Sequence, residues 1–188
     1  MKRLIVPQRL LPAMLLAAVA IAIPGIALAG PADPAVPTEI AVVEGHKLFL
    51  VAHAVGVQIH ECVPNGSGYR WRFAGPRADL YSDGGTLLAT HFSGPSWQAR
   101  DGSKVTATLD GNGTVTVDPT AIPWLRLRVT SATVGPDGDR LGDTKYIQRI
   151  ETTGGLAPAA GTCNAETLGD VAEIPYTADY AFWKASAS

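Results

Sequence analysis

Apolar and polar residues alternate along much of this chain, and a period of two residues is the pattern of β-strands with one buried face. Between residues 55 and 62, three aliphatic side chains fall on one face and two polar ones on the other: Val55, Val57 and Ile59 against Gln58 and His60. This segment therefore predicts a half-buried strand whose aliphatic face points toward the core.

Two further segments show the same alternation with arginines on the polar face. Tyr69, Trp71 and Phe73 share one face of the first segment, which favours Trp71 as a core residue. In the second segment, residues 124–134, leucine and valine side chains at positions 125, 127 and 129 oppose arginines at 126 and 128. Both segments predict strands that bury one face.

Four Asp-Gly pairs separate the alternating segments, at residues 83–84, 101–102, 110–111 and 137–138. Asp-Gly favours tight hairpin turns because both residues tolerate positive φ. No helical period of useful length occurs between residues 38 and 165, and the chain contains twenty glycines and fourteen prolines. We therefore predict about eight to eleven short strands in an all-β, single-domain antiparallel β-sandwich or flattened barrel.

The C-terminal segment allows two interpretations. Tyr176, Tyr180 and Trp183 are spaced i, i+4 and i+7, so residues 177–184 could form a short C-terminal helix of one or two turns. An extended strand is the alternative. The expected domain covers residues 38–184, and residues 185–188 form a tail.

The N-terminus has the organisation of an export signal. Lys2, Arg3 and Arg9 precede a long uncharged and mostly apolar run, which ends in a Pro-Gly pair and an Ala-Leu-Ala site. We expect cleavage after Ala29, so that residues 1–29 are the signal peptide and residues 30–37 a flexible, proline-rich leader. An uncleaved membrane anchor is the competing interpretation, because the run is almost long enough to span a bilayer. After cleavage no membrane span is expected, and the protein would be exported, periplasmic or secreted.

The charge balance limits the class of partner, and the cysteine content predicts a disulfide. Residues 1–29 hold three of the fifteen basic residues and none of the seventeen acidic ones, so the mature chain has a formal net charge of −5. This balance argues against nucleic acid as a partner, since its phosphates attract clustered positive charge. Cys62 and Cys163 are the only cysteines, and in an oxidising compartment one disulfide between them is expected.

Ordered motifs give the chain a family resemblance. The opening motif is Gly56-Val57-Gln58-Ile59-His60-Glu61-Cys62, and His91, Gly94, Pro95 and Trp97 follow, with Asp101-Gly102-Ser103 after them. The later motifs are Ile122-Pro123-Trp124-Leu125, Tyr146-Ile147-Gln148-Arg149, Gly154-Gly155-x-Ala157-Pro158 and Pro175-Tyr176-Thr177-Ala178-Asp179-Tyr180. Over roughly residues 37–183 the chain resembles the exported bacterial and fungal family catalogued as domain of unknown function 3455.

The resemblance implies no established activity. Some fungal relatives carry a malate dehydrogenase label, but this chain has neither a G-x-G-x-x-G motif after a strand nor an alternating strand–helix pattern. No cofactor is therefore expected.

Catalytic chemistry has three candidate residues, His91, Asp101 and Glu61. A nucleophilic or acid–base site requires such groups to converge in space, which sequence spacing cannot show. The chain has no G-x-S-x-G motif, and Asp101-Gly102-Ser103 is better explained as a hairpin turn whose side chains bond to nearby backbone.

Metal and ligand binding have their own candidates. His53, His60 and His91 could supply metal ligands, although a spacing of seven puts His53 and His60 on opposite faces of a straight strand. Trp97 and Trp124 could line a small-ligand pocket, but a tryptophan in a domain of this size is more often part of the core.

Three hypotheses follow. The first is an exported, non-catalytic β-domain that binds an unknown small molecule or protein, or that has a structural role in the envelope or outside the cell. The second is a cofactor-independent hydrolase that uses His91 with Asp101 or Glu61, and the third is a histidine metal-binding protein. Convergence of these side chains in one cleft, or their dispersal, discriminates among the three.

Overall fold

The computed structural model describes residues 31–187. The expected signal peptide, its cleavage site at Ala29, Gly30 and Ser188 lie outside the described residues. The described residues contain no helix that is long and apolar enough to cross a membrane.

Eight strands and two single turns of 3-10 helix make up the regular structure. The strands are β1 (His46–Asn65), β2 (Gly68–Tyr81), β3 (Leu87–Phe92), β4 (Ser96–Ala99), β5 (Lys104–Val115), β6 (Trp124–Thr133), β7 (Thr144–Gly154) and β8 (Val171–Ala185). The 3-10 turns, Thr38–Ile40 and Ala160–Thr162, precede β1 and β8.

The strands form one antiparallel sheet that closes into a barrel. Each strand pairs with the next along the chain, and β8 pairs with β1. The all-β, antiparallel prediction is confirmed, and of its two forms the barrel is observed. Because neighbouring strands alternate in direction, the β1–β2, β3–β4, β5–β6 and β7–β8 connections share one end, which we call the upper end. The other three connections lie at the lower end.

The lower part of the barrel is filled by a close-packed apolar core. Small side chains of β1, β2, β3 and β5 surround larger ones, and Trp97 of β4 is only 1% exposed. The fully buried side chains include Leu80, Val105, Leu141, Ile147 and Phe182. The expectation that Trp97 points to the core is confirmed.

The first strand buries the face that its sequence pattern places outside. Gln58 and His60 are buried, whereas Val55 is 59% exposed. The register shift between Ile59 and His60 leaves one extra residue, Ala74, in β2, and the same side of β1 is buried before and after it. The predicted aliphatic inner face is therefore wrong, because closure of the barrel and not local hydrophobicity sets which face points inward.

Three further expectations are corrected. The C-terminal helix is wrong: residues 177–184 are extended within β8, since pairing with both β1 and β7 satisfies their backbone. Trp71 is not in the core, because it is only part-buried near the upper end of β2, where its Nε1 donates to Thr162 Oγ1 at 2.9 Å. Asp110-Gly111 does not connect two strands, since it lies in a register shift inside β5.

One disulfide and one docked segment support the barrel. Cys62 of β1 is bonded to Cys163 in the β7–β8 connection, as predicted, and the described residues contain no free cysteine. Before β1, Ile40 packs against Trp124 and Ile150 on the outside of the barrel. Gln148 Nε2 donates to the Ile40 carbonyl at 2.7 Å, which fixes this segment in place.

Candidate binding site inside the barrel

The upper end of the barrel contains a cavity of about 220 Å³. Phe73, Gly75 and Pro95 form part of its rim, from β2 and from the turn between β3 and β4. Leu125 and Leu127 of β6 contribute an apolar wall. Five further residues line the cavity, one from each of β1, β3, β4, β7 and β8: Gln58, His91, Trp97, Arg149 and Tyr180.

Strand register explains how these side chains come together. Ala78, His91, Trp97 and Val105 are consecutive partners across β2 to β5, so they form one level of the barrel. On the other side, Arg149 pairs with Leu125 of β6 and with Tyr180 of β8. Residues that are up to 122 positions apart in the chain thus surround one space.

His91 is buried and held in one tautomer. Its Nδ1 lies 2.9 Å from the Ser96 carbonyl, which can only accept, so Nδ1 carries the proton and Nε2 the lone pair. The imidazole stacks on Trp97, with ring centroids 4.3 Å apart and an interplanar angle of 11°. Burial lowers the pKa of His91 to about 3, against the opposing effect of the Ser96 hydrogen bond. His91 is therefore neutral at pH 7.

Two donors in the cavity wall lack hydrogen-bond partners. Within residues 31–187, Nε2 of Gln58 and Nε1 of Trp97 are buried and unpaired. Gln58 neighbours the Tyr176 phenol, yet its Nε2 completes no hydrogen bond there. An unsatisfied buried donor costs about 1–3 kcal/mol, so such groups point to a role outside packing.

Arg149 brings a positive charge into the same cavity. Its Nε and Nη2 donate to the Pro123 carbonyl at 3.2 and 2.8 Å. None of the ion pairs among residues 31–187 includes Arg149. The cavity therefore contains a guanidinium without a neutralising carboxylate.

Two tyrosines complete the polar part of this region. The hydroxyls of Tyr176 and Tyr180 lie 3.5 Å apart. Burial raises the pKa of both phenols, while the positive charge of Arg149 acts in the opposite direction. Both hydroxyls are therefore protonated at neutral pH, and neither supplies a negative charge to Arg149.

The three catalytic candidates do not converge. Asp101 lies in the β4–β5 turn at the lower end, about 13 Å along β4 from the level of His91. Its carboxylate accepts from Ser103 Oγ at 2.6 Å and from the Arg140 backbone amide at 2.7 Å. Glu61 is on the outer face of the upper end, where it pairs with Arg72 at 2.5 Å. Only His91 lies in the cavity.

The metal candidates are also separated. His53 lies on the outer face, with Nδ1 2.6 Å from Asp179 and Nε2 2.6 Å from Asp83. Hydrogen bonds to Asp83 and then Asp179 raise its pKa. His60 is buried beside Phe73, and burial lowers its pKa. The described residues contain no group of three or more His, Cys, Asp or Glu side chains arranged to hold a metal.

Of the two tryptophan candidates, only Trp97 faces the cavity, whereas Trp124 packs with Ile40 outside it. Sequence reasoning missed Gln58, Arg149 and Tyr180 as site residues. Each belongs to one of the motifs that carry the family resemblance, but no pattern along the chain indicates that they face each other.

The fold and the cavity define an eight-stranded antiparallel barrel with room for one small molecule. The chain belongs to the family described as protein of unknown function (DUF3455), whose model matches residues 43–184. No curated protein matches the chain. No solved structure matches it either.

Proposed function

We propose that this protein is an exported, non-catalytic barrel that binds one small, largely apolar molecule in its upper cavity. One observation carries the proposal: an apolar cavity whose wall contains buried donors without partners. Eight-stranded barrels are just wide enough to enclose a small ligand. Apolar cavities with a few converging polar groups are the usual form of small-molecule sites.

The size of the cavity limits the ligand. A dry cavity of about 150 Å³ lined by aliphatic and aromatic side chains accommodates benzene. The cavity here is about 220 Å³, so its occupant would be somewhat larger, such as a single ring with a short chain.

A non-catalytic role is supported by the protonation state and the neighbours of His91. His91 is neutral and hydrogen-bonded to backbone, and its ring neighbours are Trp97 and Tyr180 and not a carboxylate. A general base acts best with a pKa near the working pH, far above about 3. Export is supported by the N-terminal sequence and by the Cys62–Cys163 disulfide, which suits an oxidising compartment.

Binding of neutral apolar probes tests the proposal. We expect toluene and indole to raise the unfolding temperature of the mature protein, because a ligand that binds only the folded state stabilises it by mass action. Leu125→Trp should abolish this effect by filling the cavity. Leu109→Trp is the matched control, since Leu109 is an exposed residue of β5. Equal responses of both variants to the probes would contradict the proposal.

A further inference from the structure

We propose that the molecule bound in the cavity carries a carboxylate, and that Arg149 binds this group. The inference rests on the proposed function, because it names the chemical class of the ligand for that cavity. The ligand would be a small carboxylic acid with one aromatic ring or a short aliphatic chain.

The first argument is the charge balance of the cavity. Arg149 lies among Leu125, Trp97 and Tyr180, and its polar neighbours, the Pro123 carbonyl and the Tyr180 hydroxyl, are both uncharged. Arg149 is part-buried and its hydrogen bonds reach only a neutral carbonyl, so no negative charge offsets its partial removal from water, which is costly for a charged group. By contrast, Arg126 and Arg128 of the neighbouring strand share Asp110 as a partner. An anionic ligand would supply the counter-charge that Arg149 lacks.

The second argument is the excess of donors. Gln58 Nε2 and Trp97 Nε1 are unpaired donors in the same wall, and both can only donate at those atoms. Carboxylate oxygens only accept, and each has two lone pairs. One carboxylate therefore offers enough acceptor sites for the guanidinium and for a neighbouring donor. An ammonium ligand, which can only donate, would leave all of these donors unpaired and would repel Arg149.

The third argument concerns the apolar remainder of the space. Leu125, Leu127 and Pro95 supply an apolar part of the cavity lining. They match a ring or a hydrocarbon chain, whose burial is favourable. The lining thus suits a ligand that combines one anionic group with an apolar body.

Calorimetric titration of the mature protein at pH 7 tests the inference. The probes are 3-phenylpropionate and octanoate, compared with 3-phenylpropanol and octanol, which have the same chains without charge. We expect the carboxylates to bind at least about tenfold more tightly than the alcohols, because charge-assisted hydrogen bonds are the stronger ones. Carboxylates that bind no better than the alcohols would overturn the inference and leave the proposed function standing.

Variants separate the charge effect from folding. Arg149→Met should remove the preference for carboxylates while alcohol binding is retained. Arg149 also donates to the Pro123 carbonyl, so its replacement could disturb folding. Gln58→Glu is therefore a second variant, which adds a negative charge to the cavity and leaves Arg149 in place. It should also remove the preference. Arg77→Met, on the outer face where Arg77 pairs with Glu173, is the matched control and should keep it.

The outcomes remain distinguishable. A carboxylate preference that persists in both cavity variants would overturn the role of Arg149. Absence of binding by all four probes to the wild-type protein would overturn the proposed function and the inference together.

Discussion

At the scale of single residues, the cavity wall contains polar side chains that are buried without all of their hydrogen bonds. Gln58 and His91 are polar yet almost fully buried, and Trp97 is buried with an unpaired indole N–H. Natural cores avoid unsatisfied donors, and the exceptions tend to occur at functional positions. The His91–Trp97 stack therefore has two roles: it packs in the barrel interior, and both of its residues line the cavity.

Substitutions of Trp97 separate these roles. Trp97→Ala should cost about 3–5 kcal/mol of unfolding free energy, because a large buried ring is removed. Trp97→Phe should cost only about 1 kcal/mol, since a ring remains and the N–H that is lost has no partner to leave unsatisfied. Chemical unfolding of both variants checks this. A Phe variant as unstable as the Ala variant would contradict this expectation.

His91 contributes to the packing of the barrel as well as to the lining of the cavity. Its Nδ1 satisfies the Ser96 carbonyl, and its ring packs between Trp97 and Tyr180. His91 lines the cavity but is only 3% exposed, so His91→Ala is expected to lower the stability of the barrel as well as to change the cavity.

At the scale of elements, turns and strands are tied together by short side chains. Asp101 of the β4–β5 turn caps the Ser103 amide at 3.0 Å and also holds the Arg140 amide in the β6–β7 connection. Ser103 Oγ in turn accepts from the Leu141 amide at 3.2 Å. The Asp-Gly-Ser turn thus anchors the longest lower loop beneath the apolar core, which explains the motif without catalysis.

Asp101→Asn should lower the unfolding temperature by about 2–6 °C, because an amide cannot replace both acceptor oxygens. The Ser103 and Arg140 hydrogen bonds lower the pKa of Asp101 below its ordinary 3.8. The stabilisation is therefore present above that ordinary value and is lost as the pH falls through the lowered pKa.

Thermal melts between pH 7 and pH 2 measure both effects. The difference between wild type and Asp101→Asn should shrink at the acid end, where the carboxylate is protonated. Asp137→Asn, in the same lower region, is the control and should behave like the wild type. A difference that grows toward acid pH would contradict this assignment.

At the scale of the whole molecule, closure of the barrel leaves its two ends unlike each other. The lower end is closed by the core and by the Asp101 network, whereas the upper end holds the cavity. The disulfide is at this upper end, where it joins the end of β1 to the β7–β8 connection. It therefore constrains the part of the barrel with the least apolar filling.

Removal of the disulfide should destabilise the protein strongly. The bond spans 101 residues, for which the chain-entropy model gives at most about 4–5 kcal/mol. We expect a Cys62→Ser, Cys163→Ser double variant to lose a large part of that amount in chemical unfolding. Thiol labelling of denatured, unreduced wild type should detect no free cysteine. Unchanged stability of the double variant, or two labelled thiols in the wild type, would contradict the prediction.

The sequence by itself determined the class of the fold, because the signals for strands and turns are local. Each signal is read from residues that are adjacent in the sequence. Examples are the alternation along β6, the Asp-Gly turn at residues 101–102 and the absence of a helical period. The disulfide was also predictable, since only two cysteines exist to pair.

Only the tertiary structure decided which faces point inward and which residues form the site. Alternation identifies two faces of β1, but the pairing of β1 with both β2 and β8 in the closed barrel decides which one is buried. Likewise, Gln58 and Arg149 are 91 positions apart and face the same cavity through strand pairing. Such convergence depends on long-range register, which a period of two residues does not contain.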